Sequence, residues 1–167
     1  MTELREPYRV LFLCKHNASR SLMAEAILNR IGQGRFQAYS AGLMPSAQPH
    51  QYTLEVLAEQ GFDTTGLQPK SVQQFLQPDA PKIDMVIGLC QSVQEDGEIN
   101  GVFPMTAHWH INDTDSVDST SDTDKETFKQ VFLQLAQRLH LLIDLPDEKI
   151  EHLVQQSIEQ SVWWTKI

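Results

Sequence analysis

The run Arg9-Val10-Leu11-Phe12-Leu13 is apolar, short, and ends on Cys14. A run of this length reads as a strand buried on both faces, the kind that parallel sheets contain. The next residues are polar or small, and apolar periodicity resumes at Leu22 and Met23. From there Met23, Ala26, Ile27 and Ile31 recur at helical spacing, with Gly32 as a C-terminal stop. The unit is therefore strand, tight loop, helix. Its loop lies at the carboxyl end of a strand and the amino end of a helix, where open α/β sheets bind their ligands.

The rest of the chain repeats this alternation. Residues 36–40 read as a second strand closed by Ala41-Gly42. Tyr52 to Ala58 read as a helix stopped at Gly61, Val72 to Leu76 as one short helix, and 83–89 as a strand with Cys90 at its carboxyl end. Val102-Phe103 is expected to be a fourth strand. Asn112 to Lys125 is rich in Asp, Ser and Thr and is expected to be an exposed loop. Phe128, Val131, Phe132, Leu135, Leu139 and Leu142 form a clear amphipathic stripe that Pro146 ends. A weaker stripe follows through Ile150, Leu153, Val154, Ile158 and Val162. Alternating strands and helices imply a three-layer α/β/α fold. The expected architecture is a four-stranded parallel sheet with a C-terminal helical extension. The length, 167 residues, favours a single domain over residues 1–167, with a core of about 8–145 and a tail over 146–167.

Charge narrows the function. The net charge of −9 argues against binding nucleic acid or an anionic membrane surface. Any anion site must be a local positive pocket on a negative body. The amino terminus is polar and no apolar run approaches the roughly 20 residues of a membrane span, so a cytoplasmic protein is expected. Only Cys14 and Cys90 are cysteines, too few for a disulfide framework or a structural zinc site. His108 and His110 flank Trp109 without a third partner at ligand spacing, so no metal site is expected.

The loop Cys14-Lys15-His16-Asn17-Ala18-Ser19-Arg20-Ser21 carries the chemistry. A thiol of ordinary acidity is mostly protonated at neutral pH, and only the thiolate is a strong nucleophile. A helix amino terminus supplies unpaired N–H groups and partial positive charge, which favour both a thiolate and a bound oxyanion. Arg20 offers a planar fork for two oxygens of a tetrahedral anion. The Ser21 hydroxyl is in sequence position to hydrogen-bond the sulfur, and Asn17 to tie the loop into a curve. A Cys and an Arg at this spacing are common by chance. The strand before, the helix after and Ser21 beside Arg20 make the pattern specific. His16 is either a tuning charge or a solvent-facing filler, and Cys90 alone reads as a small buried hydrophobe.

Residues 10–26, from Val10 through Ala26, resemble the start of the low-molecular-weight protein tyrosine phosphatase superfamily, and within it most resemble the arsenate reductases of that fold. Tyr39-Ser40-Ala41-Gly42, Gly61-Phe62-Asp63, the strand ending at Cys90, and His108-Trp109-His110-Ile111-Asn112-Asp113 extend the likeness. The resemblance implies that Cys14 attacks the oxyanion and forms a covalent adduct. Arg20 and the backbone of Lys15, His16, Asn17, Ala18 and Ser19 hold the oxygens, Ser21 stabilises the thiolate, and Asp113 is the general acid. In arsenate reduction Cys90 is the second cysteine, which displaces arsenite and leaves a disulfide.

Three departures matter. Thioredoxin-coupled relatives carry a third cysteine, and Gln91 to Met105 contains none, so an external thiol must open any Cys14–Cys90 disulfide: glutathione, glutaredoxin or thioredoxin. No cofactor is expected to be bound. Asp113 is followed by Thr114, not the family's usual Pro. Some relatives bind potassium beside the loop through an aspartate that aligns near Lys70; the ammonium of Lys70 is expected to stand in for it beside Glu25, with Asn17 and Ser40 nearby. Two other readings compete. One is a phosphatase acting on phosphotyrosine or a small phosphoester, which needs Cys14, Arg20 and Asp113 but not Cys90. Residues 114–127 contain none of the aromatics that clasp a phosphotyrosine ring in the tyrosine phosphatases, which tilts toward a small inorganic substrate. The other is a non-catalytic oxyanion or redox sensor.

Overall fold

The computed structural model describes residues 6–103, 106–111 and 122–159. Four parallel strands form one sheet in the order β2-β1-β3-β4: β1 Tyr8–Cys14, β2 Phe36–Gly42, β3 Met85–Gly88 and β4 Ala107–His108. The helices are α1 Arg20–Ile31, α2 Gln51–Glu59, α3 Gln91–Glu95, α4 Gly97–Val102, α5 Asp122–Ile143 and α6 Asp147–Glu159, with a 3-10 turn over Val72–Leu76.

The strand order explains where the site lies. From β1 the chain crosses to β2 on one side, then returns past β1 to β3 and β4 on the other. Right-handed crossovers in opposite directions put helices on both faces of the sheet. They also open a crevice between the carboxyl ends of β1 and β3, where the winding reverses. Cys14 ends β1, and Cys90 follows β3 by two residues. Both cysteines sit at that crevice.

Burial on both faces accounts for the unbroken apolar run of β1. Val10, Leu11, Phe12 and Leu13 are all fully buried. Each such side chain contributes about 1.5–3 kcal/mol relative to exposure. On α5, Phe128, Val131, Leu135 and Leu139 are buried at steps of three and four residues, and this stripe packs on α1. Lys125 of α5 bridges Glu55 and Glu59 of α2 at 3.2 and 2.9 Å. Arg35, just before β2, donates to the carbonyls of Ile143 and Leu145 and to Asp147. It thereby caps the end of α5 and fastens the turn into α6. Tyr8 donates to Glu151 at 3.1 Å, joining α6 to the start of β1.

Two expectations are corrected. Val102 ends α4 and is half exposed, so Val102-Phe103 is not the fourth strand; that strand is Ala107–His108, paired with Ile87 and Gly88. Asp122 to Lys125 belong to α5, not to the loop before it.

Candidate active site

The loop after β1 is held from outside by its carbonyls. Leu43 N–H donates to the carbonyl of Cys14 (3.2 Å), Met44 N–H to Lys15 (2.8 Å), Ser46 N–H to His16 (2.9 Å) and His50 N–H to Ala18 (3.0 Å). Thr53 Oγ1 also donates to Ala18 at 2.9 Å. In a trans peptide the carbonyl and the next N–H point in opposite directions. Carbonyls anchored outward therefore turn the N–H groups of Lys15, His16, Asn17 and Ser19 inward, toward the sulfur of Cys14. Successive inward amides make an anion-binding concavity, and the amino terminus of α1 adds its partial charge. The Asn17 N–H already donates to Cys14 Sγ at 3.3 Å.

Asn17 makes the curve possible. Its φ is 50°, the left-handed region that Asn tolerates better than most residues. Its Oδ1 accepts from Lys70 N–H at 2.8 Å, and its Nδ2 donates to Ser21 Oγ at 2.6 Å. Ser21 Oγ lies 2.8 Å from Cys14 Sγ. Gly42 lets the loop close on the end of β2. A Cβ there would lie 2.8 Å from the Lys15 carbonyl oxygen and 3.0 Å from Asn17 N.

The support group expected around Lys70 also assembles. Ser40 Oγ donates to Glu25 at 2.9 Å, and Lys70 Nζ lies 3.6 Å from the same carboxylate. Lys70 joins Asn17 through its backbone N–H rather than its ammonium. His16 Nδ1 donates to the Met44 carbonyl at 3.1 Å, at the outer rim of the loop.

Arg20 begins α1, is buried, and reaches across to the Leu89 carbonyl at 3.2 Å. The register that pairs Leu13 with Gly88 carries Cys14 alongside Leu89, whose N–H donates to the Leu13 carbonyl at 2.9 Å. Cys90 is the next residue. It lies one position beyond the residue that the register sets beside Cys14. Burial pushes the Cys90 thiol above the ordinary thiol range. The N–H groups of Val93 and Lys15 and the charge of Arg20 pull it partly back, while Cys14 adds to the rise. The Cys90 sulfur thus shares an environment with the loop.

Beside this crevice lies a cavity of about 330 Å³ lined by Arg20, Cys90, Ser92, His108, Trp109 and His110, among others. Burial lowers the His108 imidazole below the usual histidine range, and His110 and Arg20 add to this, while its bond to the Cys90 carbonyl works against it. Trp109 is buried against Phe12, with ring centroids 6.2 Å apart. Asp113, expected as general acid, lies outside the described residues, as do Asn112 and the tryptophans near the end.

Cys14, Asn17, Arg20, Ser21 and Cys90 thus meet at one crevice, with Glu25, Ser40 and Lys70 behind the loop. The residues that sequence reasoning missed act through the backbone: Gly42, Thr53 and His50 on the loop, and His108 on Cys90. Gly42 alone had a visible signal, as the end of the Ser-Ala-Gly stretch.

Residues 9–158 match the family model described as low molecular weight phosphotyrosine protein phosphatase. A curated relative, glutaredoxin arsenate reductase of Synechocystis sp., is 34% identical over 82 residues, which are 49% of this chain and 60% of that protein. The match therefore spans less than two thirds of the relative's length. Among solved structures, an arsenate reductase in the phosphate binding state superposes with a TM-score of 0.64 at 28% identity, covering 81% of this chain and 96% of that one. An arsenate reductase from Archaeoglobus fulgidus does so with a TM-score of 0.62 at 26% identity, covering 81% and 99%.

Proposed function

The chain belongs to the low molecular weight phosphotyrosine protein phosphatase family, and from that premise we propose that it is an arsenate reductase working through Cys14 and Cys90. The observation that supports this reading is that Cys14 ends β1 and Cys90 follows β3, where the two strands run side by side. A phosphatase of this loop chemistry has no use for the second thiol. Relatives and solved structures at 26–34% identity bear the name arsenate reductase.

In the proposed cycle the inward amides of residues 15–19 and the guanidinium of Arg20 bind arsenate. The Cys14 thiolate attacks arsenic, forming the S–As bond, and a hydroxyl leaves as water after taking a proton; Asp113 is the proposed donor. The Cys90 sulfur then attacks Cys14 Sγ. The S–S bond forms as the S–As bond breaks, and the bonding pair stays on arsenic. Arsenic goes from the pentavalent to the trivalent state and leaves as arsenite, while the two thiols become a disulfide. Two electrons from an external thiol, either glutathione with glutaredoxin or thioredoxin, restore them. Burial holds the Cys90 thiol above its ordinary range, so it gives up its proton, to water or to the departing arsenic oxygen, as it attacks.

A phosphatase acting on a small phosphoester is the second reading, because the cradle, Arg20 and Cys14 suit a phosphoryl group equally well. Wild type and Cys90→Ser separate the two. Arsenite production with glutathione and glutaredoxin, or with thioredoxin, that vanishes in Cys90→Ser supports reduction. Hydrolysis of para-nitrophenyl phosphate by both proteins, with no arsenite from either, refutes it in favour of the phosphatase.

A further inference from the structure

Cys90 is held by its carbonyl. Its backbone is extended, with φ −146° and ψ 160°, and it precedes α3, which is a single short turn of helix. The intrahelical bonds onto the Cys90 carbonyl are long, 3.2 Å from Val93 N–H and 3.4 Å from Gln94 N–H. The short bond comes from elsewhere: His108 Nε2 lies 2.8 Å from the same oxygen. A carbonyl only accepts, so Nε2 carries the proton. His108 sits on β4, the far edge of the sheet, opposite Gly88. Its ring crosses the backbone there so closely that a Cβ on Gly88 would lie 2.9 Å from His108 Cδ2. The His110 ring stands nearly perpendicular to it, at 85° with centroids 6.0 Å apart. The imidazole is thus confined on two sides and aimed at one oxygen.

We infer that His108 is a positioning residue for the second thiol: its Nε2–H holds the Cys90 peptide so that the sulfur faces the Cys14 loop. This rests on the reading of Cys90 as the residue that closes a disulfide with Cys14. The carbonyl of Cys90 meets His108, while its sulfur is acted on by Val93 N–H, Lys15 N–H, Cys14 and Arg20. Fixing the first on the sheet edge leaves the second turned toward Lys15 N–H and Cys14. Such tethering raises the effective concentration of one thiol at the other. Without it, the Cys90 carbonyl keeps only the two long bonds from Val93 and Gln94.

The test reads the disulfide itself, without arsenate. Wild type, H108F and H108Q are equilibrated in buffers of oxidised and reduced glutathione, and the intramolecular Cys14–Cys90 bond is quantified by alkylation and mass spectrometry. In that exchange two protein thiols give two electrons and two protons to one oxidised glutathione, leaving a protein disulfide and two reduced glutathiones. Phenylalanine keeps a ring over Gly88 but has no donor; glutamine carries an N–H at similar reach. Losing one net hydrogen bond that favours the closed geometry should make H108F require an oxidised-to-reduced ratio about five- to tenfold higher for half-closure, with H108Q close to wild type. Cys14 alkylation by iodoacetamide in the reduced proteins should stay within about twofold, because the loop's own anchors are untouched. An H108F midpoint equal to wild type overturns the inference, as does an H108Q midpoint as poor as H108F, or Cys14 alkylation that falls in step. A wild type that closes the bond but yields no arsenite defeats the reductase reading and leaves this inference to the H108F comparison. A wild type that never closes it overturns both.

Discussion

Asn17 Nδ2 donates to Ser21 Oγ at 2.6 Å, and that bond assigns the Ser21 proton. The hydroxyl oxygen accepts from Asn17, so its own hydrogen is left to donate along the 2.8 Å line to Cys14 Sγ. Asn17 is fixed in that sense because its Oδ1 accepts from Lys70 N–H. The relay runs from backbone to amide to hydroxyl, and its last donor is aimed at the Cys14 sulfur.

Ser21→Ala removes the last donor of that relay. A hydrogen bond to a charged group is worth about 1.5–3 kcal/mol, and roughly 1.4 kcal/mol is tenfold in a population. Alkylation of Cys14 by iodoacetamide at pH 6.5 should slow by about tenfold or more, with the thermal midpoint little changed. Alkylation at the wild-type rate would show that Ser21 does not donate to the sulfur.

Lys70 and Glu25 are coupled through space behind the loop. Their side chains are only 25% and 14% exposed, and the ammonium lies 3.6 Å from a carboxylate that also accepts from Ser40. Lys70→Met leaves Glu25 with a hydroxyl as its described partner, so the single variant should lose stability. In a double-mutant cycle with Glu25→Gln, urea unfolding should return a coupling of about 1–2 kcal/mol, between exposed and buried pairs. Additive losses in the two single variants would remove the Lys70 ammonium from the loop's support and leave only its backbone N–H on Asn17.

Gly42→Ala tests the close approach of the loop to β2. The added methyl would meet the Lys15 carbonyl at 2.8 Å and Asn17 N at 3.0 Å. Both are backbone atoms, and neither can swing aside as a side chain does. A destabilisation of about 1–3 kcal/mol is expected from such overpacking, together with weaker binding of phosphate as a competitive oxyanion. Gly101→Ala is the control, because its Cβ would enter open space. Equal effects from the two substitutions would mean that the crowding at Gly42 is absorbed without moving the loop.

The strand-loop-helix around Cys14 was legible because three local signals agree there: an apolar run, polar small residues, and a resumed helical period. Cys90 was legible as the end of a strand by the same logic. The fourth strand was not, because two residues leave no periodicity, and Ala107-His108 becomes a strand only by pairing with Ile87 and Gly88. Val102-Phe103 looked more strand-like yet lies where α4 ends. The carbonyl anchors were hidden for a related reason. His50, Thr53 and His108 act on backbone atoms 32, 35 and 18 positions away, and nothing in a side chain's identity announces which carbonyl it will meet. Asn17 was read from its place inside the loop, whereas Glu25, Ser40 and Lys70 were reached through resemblance, since no periodic pattern joins three residues on separate elements.

His50 gives the fold an acid limb. It is the N-cap of α2, and its Nδ1 accepts the Tyr52 N–H at 3.0 Å. Its ring stacks on Phe128 with centroids 4.5 Å apart. A protonated Nδ1 cannot accept, so capping requires the neutral ring. Burial lowers the His50 imidazole below its ordinary value of 6.5. As pH falls below that value, the unfolded chain takes up a proton that the folded chain refuses, and stability falls. The contribution is thus fully present above pH 6.5 and lost as pH drops through the folded value. The same residue's N–H donates to the Ala18 carbonyl, so the loss reaches the oxyanion loop. His50→Asn keeps a capping acceptor but does not titrate. His108 is also lowered by burial, but it does so in both proteins and cancels in the comparison. Thermal midpoints from pH 7.5 down to 5.5 should therefore fall more steeply for wild type than for His50→Asn, even if loss of the Phe128 stacking starts the variant lower. Parallel curves would show that the cap survives protonation and that α2 and the loop are insensitive to this imidazole.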